Sequence, residues 1–420
     1  MIAGRYEIEQ LAGEGGMGAI YRARDHAHGA LVAVKVLRHG EAVDRARFER
    51  EGRLLAQLSH PAIVRFVDHG FSDGDPFLVM EWLAGETLAG RMVGDGVSAN
   101  EAVVIARRIA EALGELHRLG IVHRDVKPEN IVFPGGAPGG AKLIDFGLAR
   151  HHTGTLNVTR TGATVGTPAY MAPEQARGQA VDARADVFGL GCVLYECLTG
   201  VPPFTGSTRT AILVKLMFCD IPRIGPRDRD LPRTLVGVVE QMMARAPADR
   251  FADGDAVAAA LASVELAGSA RRRSRRDAVA TPLTQPALPF ACVILVERGA
   301  AVSPSVPDDM RLEELAGGEL AIVADRGAPA EQVASARRLA EWIACAAPGR
   351  AIAIAGGTGP LERVIERAAG LLEELAIARA IDDRVSPIAI DPALAGIEPG
   401  APSVAELVDP GASRADDGAR

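Results

Sequence analysis

The sequence contains no apolar run long enough to span a membrane. The longest candidate, FACVILV at residues 290–296, is far shorter than the roughly 20 residues that a membrane helix needs. The N-terminal stretch MIAGRYEIEQ has neither the basic start nor the apolar centre of a secretory signal peptide. These two absences predict a soluble, cytoplasmic protein without a membrane span.

Cysteine is scarce, and its five occurrences are not spaced like metal ligands. An odd and dispersed set of cysteines is typical of reduced thiols in a cytosolic protein, so cysteine indicates no metal site here. The chain also lacks an excess of basic residues. Its net charge of -8 argues against a general nucleic-acid binder.

The composition itself is that of a folded protein, with 48% hydrophobic and 24% charged residues over 420 positions. That length allows two or three domains with cores of their own. The pattern of strands and helices breaks once, at GSARRRSRRDAVATPLTQPALP, where a basic cluster and three prolines are typical of a solvated linker. We predict a first domain at residues 6–268, a linker at 269–288, a small α/β domain at 289–400 and a disordered tail at 401–420.

A glycine pattern is the first motif of the N-terminal part. LAGEGGMGAIYRARD carries Gly13, Gly15 and Gly18 in GxGxxG spacing, which lets a backbone pass close over phosphate groups. Dinucleotide-binding folds use the same spacing at a strand-to-helix turn. Here the residues after Gly18 have strand-type composition, with a turn at His28-Gly29. They predict that the glycines lie in a β-hairpin, which disfavours a dinucleotide fold.

A lysine and an acid follow this hairpin. Lys35 lies in the apolar strand VAVKVL, and Glu51 lies beside the apolar stripe of the helix-like segment EAVDRARFEREGRLLAQL. An acid near the buried edge of a helix needs a cationic partner. We predict that Glu51 pairs with Lys35 and holds this lysine where it can bind phosphate oxygens.

A short loop then combines several charged groups. IVHRDVKPENIVF, residues 121–133, places a histidine, an arginine, a lysine, an asparagine and two acids between apolar runs, and AKLIDFGLAR puts Asp145 at the end of another apolar run. Asn130 and Asp145 offer oxygen ligands of the kind that magnesium accepts together with substrate phosphates. Asp125 supplies a second carboxylate. With the glycine loop and Lys35, these groups are the ones needed to move a phosphoryl group to a hydroxyl.

The motifs and their order carry a resemblance to a known family. GEGGMG, VAVK, HRDVKPEN, DFG, APE at residues 172–174 and DVFGLG at residues 186–191 resemble the motif set of bacterial Hanks-type serine/threonine protein kinases. The resemblance extends from about residue 6 to about residue 266. It implies an α+β two-lobed fold, with a small β-rich N-lobe and a helical C-lobe. It also implies a non-specific serine/threonine protein kinase that uses ATP with Mg²⁺ or Mn²⁺.

The resemblance assigns roles to individual residues. Asp125 would accept or orient the proton of the substrate hydroxyl, and Lys127 would steady the transferred phosphoryl group. Asn130 and Asp145 would hold the metal. Met80 would be the gatekeeper behind adenine. The ATP-binding residues that the family implies are Leu11, Gly13, Gly15, Gly18, Ile20, Ala33, Lys35, Glu51, Glu81 and Leu83.

Substrate class and regulation follow from the same resemblance. Lys127 and Thr167 match the branch of the family that phosphorylates serine and threonine. Arg124 precedes the catalytic aspartate, and an arginine there would bind a phosphate on the activation segment, which lies between Asp145 and Glu174. Thr159 and Thr161 lie where bacterial members of the family autophosphorylate, so we predict regulatory phosphorylation at one of these threonines, with Thr164 as the next candidate.

Three further residues are predicted to be structural. Glu174 and Arg250 resemble the ion pair that supports the activation segment in this family, so breaking it should destabilise the lobe rather than alter the chemistry directly. Asp186 would brace the backbone of the catalytic loop, the segment HRDVKPEN at residues 123–130.

The last third of the chain alternates strand-like and helix-like segments from residue 289, which predicts a small α/β domain. A ferredoxin-like arrangement is one candidate, and DDMRLEELA is interpreted as one of its helices. GELAIVAD, AIAIAGGTGP and VIERAAGLL resemble the class III nucleotide cyclase homology domain. At the position of that family's first metal-binding carboxylate, this chain has no aspartate, and Glu319 stands near the position of the second. Glu366 and Gly370 replace the catalytic asparagine and arginine. The resemblance implies an inactive domain for dimerisation or docking; an unrelated α/β interaction module is the alternative.

Two functions of different classes follow. The favoured one is an active kinase that phosphorylates proteins on serine or threonine, self-associates for phosphorylation in trans and carries a non-catalytic C-terminal domain. The other is a binding scaffold whose kinase fold holds nucleotide without turnover. A bifunctional kinase and cyclase is disfavoured by the missing carboxylate, and nucleic acid is not an expected partner.

Overall fold

The computed structural model divides the chain into two compact units. The first comprises Met1–Gln175, Ala180–Pro203 and Arg223–Thr281, and the second comprises Ala176–Gln179, Phe204–Pro222 and Pro282–Arg420. The residues that the structure describes are 1–15, 18–37, 45–145, 168–224, 231–266, 272–273, 288–298, 306–382, 384–394 and 397. The predicted tail at residues 401–420 and most of the predicted linker lie outside them.

An antiparallel sheet with one helix begins the first unit. Its elements are β1 (Tyr6–Gly15), β2 (Gly18–Asp25), β3 (Leu31–Leu37), α1 (Arg45–Leu55), β4 (Phe66–Ser72) and β5 (Asp75–Glu81). The strand order is β1-β2-β3-β5-β4. Alternate residues of β3, Val32 and Val34, pack against Tyr6, Phe77 and Val79, as expected for a sheet with one buried face. β1 and β2 form a hairpin, which confirms the prediction for the glycine pattern.

The rest of the kinase-like part is mainly helical. Its elements are β6 (Gly85–Thr87), α2 (Leu88–Val93), β7 (Val97–Ser98), α3 (Ala99–Arg118), β8 (Ile131–Pro134), β9 (Lys142–Leu143), α4 (Pro173–Ala176), α5 (Ala183–Thr199), α6 (Arg209–Phe218), α7 (Arg233–Met242), α8 (Gly254–Ala262) and β10 (Arg272–Arg273). Of these, α6 belongs to the second unit. No helix in the described part of the chain is both long and apolar enough to cross a membrane.

Two helices of this part position the site. Ser98 caps α3 through a reciprocal pair of hydrogen bonds with Glu101, the capping box that its sequence predicts. The central helix α5 is buried from Ala185 to Leu198, so its apolar sequence suits its place inside the lobe. The first turn of α5 carries Asp186, and the C-terminal end of α3 leads into the catalytic loop.

Short sheets hold the loops between these helices. β6, β8 and β9 form a three-stranded sheet, with the catalytic loop before β8 and Asp145 two residues after β9. Arg272–Arg273 pairs with Val97–Ser98 as an antiparallel ribbon. This short part of the predicted linker is therefore ordered by backbone pairing, which its basic composition did not indicate.

A five-stranded sheet forms the core of the C-terminal α/β domain in the second unit. Its elements are β11 (Leu288–Val296), β12 (Met310–Glu314), β13 (Leu320–Ala324), α9 (Pro329–Ala346), β14 (Ile352–Gly359), α10 (Leu361–Ile381) and β15 (Ile388–Ile390). The strand order is β12-β13-β11-β14-β15. Residues 290–296 of β11 are all buried, as expected for a central strand covered on both faces.

Two expectations for this domain are wrong in detail. DDMRLEELA does not form a helix, because Met310–Glu314 pairs with Leu320–Ala324 as a hairpin whose turn contains Gly317 and Gly318. The described elements run β-β-β-α-β-α-β, which differs from the β-α-β-β-α-β order of a ferredoxin-like domain.

Candidate active site

The catalytic loop brings together three predicted site residues. Oδ2 of Asp125 accepts hydrogen bonds from Lys127 Nζ at 2.7 Å and from Asn130 Nδ2 at 3.1 Å. Asn130 Nδ2 also donates to the carbonyl oxygen of Asp125 at 2.8 Å. The side chains of Asp125 and Lys127 remain 15% and 18% exposed. The Asp125 carboxylate is thus oriented by charge-assisted hydrogen bonds, yet it stays accessible to a substrate.

Asp186 braces this loop from α5. Its carboxylate accepts hydrogen bonds from the backbone N–H groups of His123 and Arg124, both at 2.7 Å. It also contacts His117 Nε2 at 2.9 Å. Because His117 Nδ1 accepts from Gly254 N at 3.1 Å, Nε2 is the nitrogen that carries the proton. The geometry agrees with the bracing role predicted for Asp186.

The backbone of Arg124 is strained. Its φ is +64°, in the left-handed region, which costs a non-glycine residue about 1–3 kcal/mol. The bond from Arg124 N to Asp186 and the bond from Gln175 Nε2 to Arg124 O at 3.0 Å stabilise this conformation. Gln175 was not predicted from the sequence, because a glutamine after the APE motif shows no chemistry of its own.

His123 connects the catalytic loop to the segment that carries Asp145. Its Nδ1 accepts from Asp125 N at 3.3 Å, so its Nε2 donates to Ile144 O at 3.1 Å. Ile144 N in turn donates to Asn130 O at 2.9 Å. The imidazole is fully buried. These bonds fix the backbone before Asp145 relative to the backbone of Asn130.

Asp145 lies beside a buried cationic side chain. Its φ is also +64°, and its Oδ1 forms an ion pair with Lys35 Nζ, whose residue is 6% exposed. The amide nitrogen of Asn130 is engaged by Asp125, which leaves the amide oxygen as the atom that can bind a metal. Carboxylate and amide oxygens are ligands that Mg²⁺ accepts. The residues therefore fit the metal that the family implies.

The predicted ATP-binding residues other than Glu51 lie on the strands of the N-terminal sheet or, for Leu83, two residues after the end of β5. Gly18 begins β2 with φ +146°, and a Cβ there would lie 2.0 Å from Val36 O, so no larger residue fits without movement. Gly16 and Met17, between the two strands, lie outside the described residues. The other predicted ATP-binding residues of these strands are Leu11, Gly13 and Gly15 on β1, Ile20 on β2, and Ala33 and Lys35 on β3.

Glu81 is the last residue of β5 and Leu83 follows two residues later; the preceding Met80, predicted to be the gatekeeper, is buried. The Glu81 carboxylate forms an ion pair with Lys142 of β9 and accepts from Arg65 N at 2.9 Å. This cross-connection was missed, because a single lysine in a short strand carries no motif. Glu51 lies on α1, and its predicted pairing with Lys35 stays a prediction.

The structural ion pair is present as expected. Arg250 donates two parallel hydrogen bonds to Glu174, at 2.7 and 2.9 Å, and both residues are buried. Thr159, Thr161 and Thr167, in contrast, fall within residues 146–167, outside the part of the chain that the structure describes.

The first unit combines a β-rich lobe that carries the buried Lys35 with a helical lobe that carries the catalytic loop and Asp145. These features are those of a protein kinase. The comparisons agree with this class. The protein kinase domain family matches residues 6–261, and the chain therefore belongs to that family.

Bacterial kinases are among the similar proteins. Serine/threonine-protein kinase PknB of Mycolicibacterium smegmatis is 41% identical over 259 residues, which are 60% of this chain and 41% of the relative. The probable serine/threonine-protein kinase PknB of Corynebacterium glutamicum is 41% identical over 274 residues, 62% of this chain and 42% of the relative. The chain thus spans about two fifths of the length of these relatives.

A solved structure shows the same fold. The kinase domain of Mycobacterium tuberculosis PknI, crystallised as a point mutant, is 29% identical with a TM-score of 0.50, and the match covers 62% of this chain and 96% of that one. This match supports the two-lobed kinase fold.

Proposed function

We propose that this protein is a serine/threonine protein kinase that transfers the γ-phosphoryl group of ATP to serine or threonine hydroxyls of proteins. The observation that carries the proposal is the catalytic loop, in which Lys127 and Asn130 hold the Asp125 carboxylate while Asp145 contacts Lys35. The relatives that match this chain are named serine/threonine-protein kinases, which supports the substrate class.

Each residue of the site has a distinct task in this proposal. Bound ATP would supply the phosphoryl group, and the bound metal would offset the negative charge of its phosphates. The Asp125 carboxylate accepts the proton of the acceptor hydroxyl and orients its oxygen. Lys127, fixed beside Asp125, neutralises charge on the transferred group. Lys35 binds phosphate oxygens, and Asn130 and Asp145 hold Mg²⁺ or Mn²⁺.

Regulation is proposed to act through phosphorylation of the activation segment at Thr159 or Thr161, by a second copy of the chain in trans. The support is sequence context and the position of Arg124, next to the catalytic aspartate in a strained backbone. A phosphate carries two negative charges that an arginine can bind with two hydrogen bonds.

The C-terminal α/β domain is proposed to be non-catalytic and to serve regulation or docking. Its support is the missing aspartate at the first metal position of the cyclase family and the replacement of the catalytic asparagine and arginine by Glu366 and Gly370. A cytoplasmic site of action is also proposed for the chain, because its chemistry uses ATP and its five cysteines are thiols of the kind that reducing compartments maintain.

Phosphate mapping by mass spectrometry tests the kinase assignment. The full chain and an Asp125→Asn variant are incubated with ATP and magnesium, and phosphorylated residues are identified. We expect phosphate on Thr159 or Thr161 in the parent and none in the variant, since an amide cannot accept the proton. Asp95→Asn, a change at an exposed aspartate, is the matched control and should behave as the parent.

An unmodified parent that binds ATP and also fails to phosphorylate a generic protein substrate would contradict the proposal. That result would favour the scaffold function, in which the fold holds nucleotide without turnover. Equal phosphorylation of the parent and the Asp125→Asn variant would contradict only the role assigned to Asp125, and the kinase assignment would stand.

A further inference from the structure

Helix α6 lies within the residues that match the kinase family, yet it groups with the second unit. Its residues from Leu213 to Phe218 are all buried. Six consecutive residues cover the whole circumference of a helix, because one turn takes 3.6 residues. A helix that is buried on every side needs neighbours on every side.

One residue of this buried run is charged. Lys215 is 6% exposed, whereas a helical lysine ordinarily extends its ammonium group into water. Its Nζ donates to Thr205 O at 2.8 Å and forms an ion pair with Oε1 of Glu366 on α10. A buried ammonium group is costly without a countercharge. Lys215 therefore depends on the carboxylate of the C-terminal α/β domain.

Glu366 is matched by hydrogen bonds on its other oxygen as well. Its Oε2 accepts from the backbone N–H of Ser207 at 3.0 Å and from the Ser207 hydroxyl. Burial would raise the pKa of Glu366, but the hydrogen bonds from Lys215 and Ser207 outweigh it and hold that pKa below its usual value. The carboxylate is thus charged at neutral pH and complementary to this face.

A second contact repeats the same chemistry within the second unit. Arg177 donates two hydrogen bonds to the Glu313 carboxylate, at 2.8 and 2.7 Å. Beside it, Ala316 N donates to Ala176 O at 2.7 Å. A bidentate arginine–carboxylate pair fixes orientation as well as distance. The two ends of this contact are 136 residues apart in the sequence.

An arginine completes the surface at the end of α6. The guanidinium of Arg311 lies 5.2 Å from the centre of the Phe218 ring, within the range of a cation–π interaction. Arg311 also pairs with Asp325, which keeps it on the sheet of the C-terminal α/β domain. The second unit thus has three such contacts: the ion pairs Lys215–Glu366 and Arg177–Glu313, and the cation–π contact between Arg311 and Phe218.

We propose that the C-terminal α/β domain is the intramolecular docking partner of a kinase surface formed by residues 176–179 and 204–222, which we call the α6 face. The C-terminal α/β domain contributes two carboxylates to this contact: Glu366 pairs with Lys215, and Glu313 pairs with Arg177. Any other protein that binds the α6 face must displace these carboxylates, so the face selects partners with acidic side chains. This inference goes beyond the proposed kinase activity and does not depend on catalysis.

A double-mutant cycle in the full chain tests the pair of Lys215 and Glu366. The variants are Lys215→Met, Glu366→Gln and the combination, and the readout is amide hydrogen exchange of residues 209–218. Glu366→Gln leaves a buried ammonium without its countercharge, so we expect exchange in α6 to accelerate about tenfold. The double variant should exchange more slowly than the product of the two single effects predicts, because Lys215→Met removes that unpaired charge.

Glu373→Lys is the matched control, since Glu373 is an exposed carboxylate on the same helix, and it should leave exchange in α6 unchanged. Unchanged exchange in Glu366→Gln, or purely multiplicative effects in the double variant, would overturn the proposal. The proposal would also be overturned if light scattering showed a dimer and the protection of α6 from amide exchange were lost on dilution. Docking would then occur between two copies of the chain. The readout needs no turnover, so a catalytically inactive chain leaves the test valid.

Discussion

At the scale of single residues, the carboxylate of Asp186 accepts hydrogen bonds from His123 N, Arg124 N and His117. In Asp186→Asn, one acceptor oxygen becomes an N–H group that faces another N–H group. We expect the free energy of unfolding to fall by about 2–3 kcal/mol and the rate of phosphoryl transfer to fall with it, because the strained Arg124 backbone loses its brace.

The measurement is chemical denaturation of the full chain together with a phosphorylation rate. Asp182→Asn, at the exposed N-cap of the same helix, is the matched control, since asparagine caps helices as well as aspartate does. If both variants lost the same stability, the contribution assigned to the loop contacts of Asp186 would be wrong.

A second buried carboxylate gives a pH-dependent prediction. Asp25 ends β2 and accepts from Arg5 Nε at 2.7 Å and from Arg5 Nη2 at 2.8 Å. The hydrogen bonds from Arg5 outweigh burial and hold the pKa of Asp25 well below its usual range. The stabilisation is therefore complete above the unfolded pKa of about 3.9 and is lost as the pH falls towards the folded value.

Asp25→Asn should accordingly lower the free energy of unfolding by about 2 kcal/mol at pH 7, and its difference from the parent should shrink below about pH 4. Denaturant titrations at pH 7, 5 and 3 check both parts. A difference that stays constant down to pH 3 would show that the charge of Asp25 is not the source of the stabilisation.

The residues that were predictable from the sequence are those with chemistry and a motif, such as Asp125 and Asp145. The Arg5–Asp25 pair was not predictable, because its members are ordinary charges 20 residues apart that only the folded sheet brings together. His123, although part of a motif, shows its function only through its contact with Ile144.

At the scale of elements, the first hairpin depends on a glycine whose backbone no other residue adopts easily. Gly18 has φ +146°, and a Cβ would lie 2.0 Å from Val36 O in the next strand, whereas a Cβ at Gly13 would meet open space. We expect Gly18→Ala to destabilise the N-terminal sheet by more than about 1 kcal/mol, from the cost of strained backbone. Gly13→Ala should change the melting temperature little.

Thermal unfolding without nucleotide checks this pair, since it separates the fold from any effect on ATP binding. Equal melting temperatures for the two variants would mean that the β2 and β3 strands can separate at Gly18 without cost.

Periodicity predicted most elements of the C-terminal α/β domain but failed for Met310–Glu314. Met310 and Leu312 are two residues apart, as in a strand, and Leu315 follows at helical spacing, so a short segment fits both periods. Pairing with Leu320–Ala324 decides for the strand. The helices α9 and α10, at 18 and 21 residues, are long enough for their period to be unambiguous.

At the scale of the whole molecule, composition marked a boundary at the linker, whereas the structure assigns residues 176–179 and 204–222 to the second unit. The contacts that join residues 204–222 to the second unit link residues far apart in the sequence, such as Lys215 and Glu366, which are separated by 151 positions. A single sequence contains no signal for a contact of that range. The kinase lobes were predictable because their motifs are local and ordered.

Arg250 offers a prediction at this scale, because it joins three stretches of the chain, around residues 174, 184 and 244–250. Its side chain is fully buried and donates to Glu174, to Ala244 O at 2.7 Å, to Arg184 O at 3.0 Å and to Arg245 O at 3.0 Å. A lysine has a single ammonium group and cannot reproduce this planar set of donors. We expect Arg250→Lys to cost about 3–5 kcal/mol, which lowers the melting temperature by about 10 °C.

Among the described residues, the hydrogen bonds of Arg250 are with Glu174 and with backbone carbonyls outside the catalytic loop, so the phosphorylation rate per folded molecule should stay close to that of the parent well below the melting temperature. Arg107→Lys is the matched control, since Arg107 pairs with Glu111 on the exposed surface of α3 and such pairs contribute about 0.5 kcal/mol or less. Calorimetry and a phosphorylation assay at low temperature measure the two quantities. A variant that melts like the parent but has lost its activity would show that Arg250 acts on the chemistry, and the structural role of the buried ion pair would have to be abandoned.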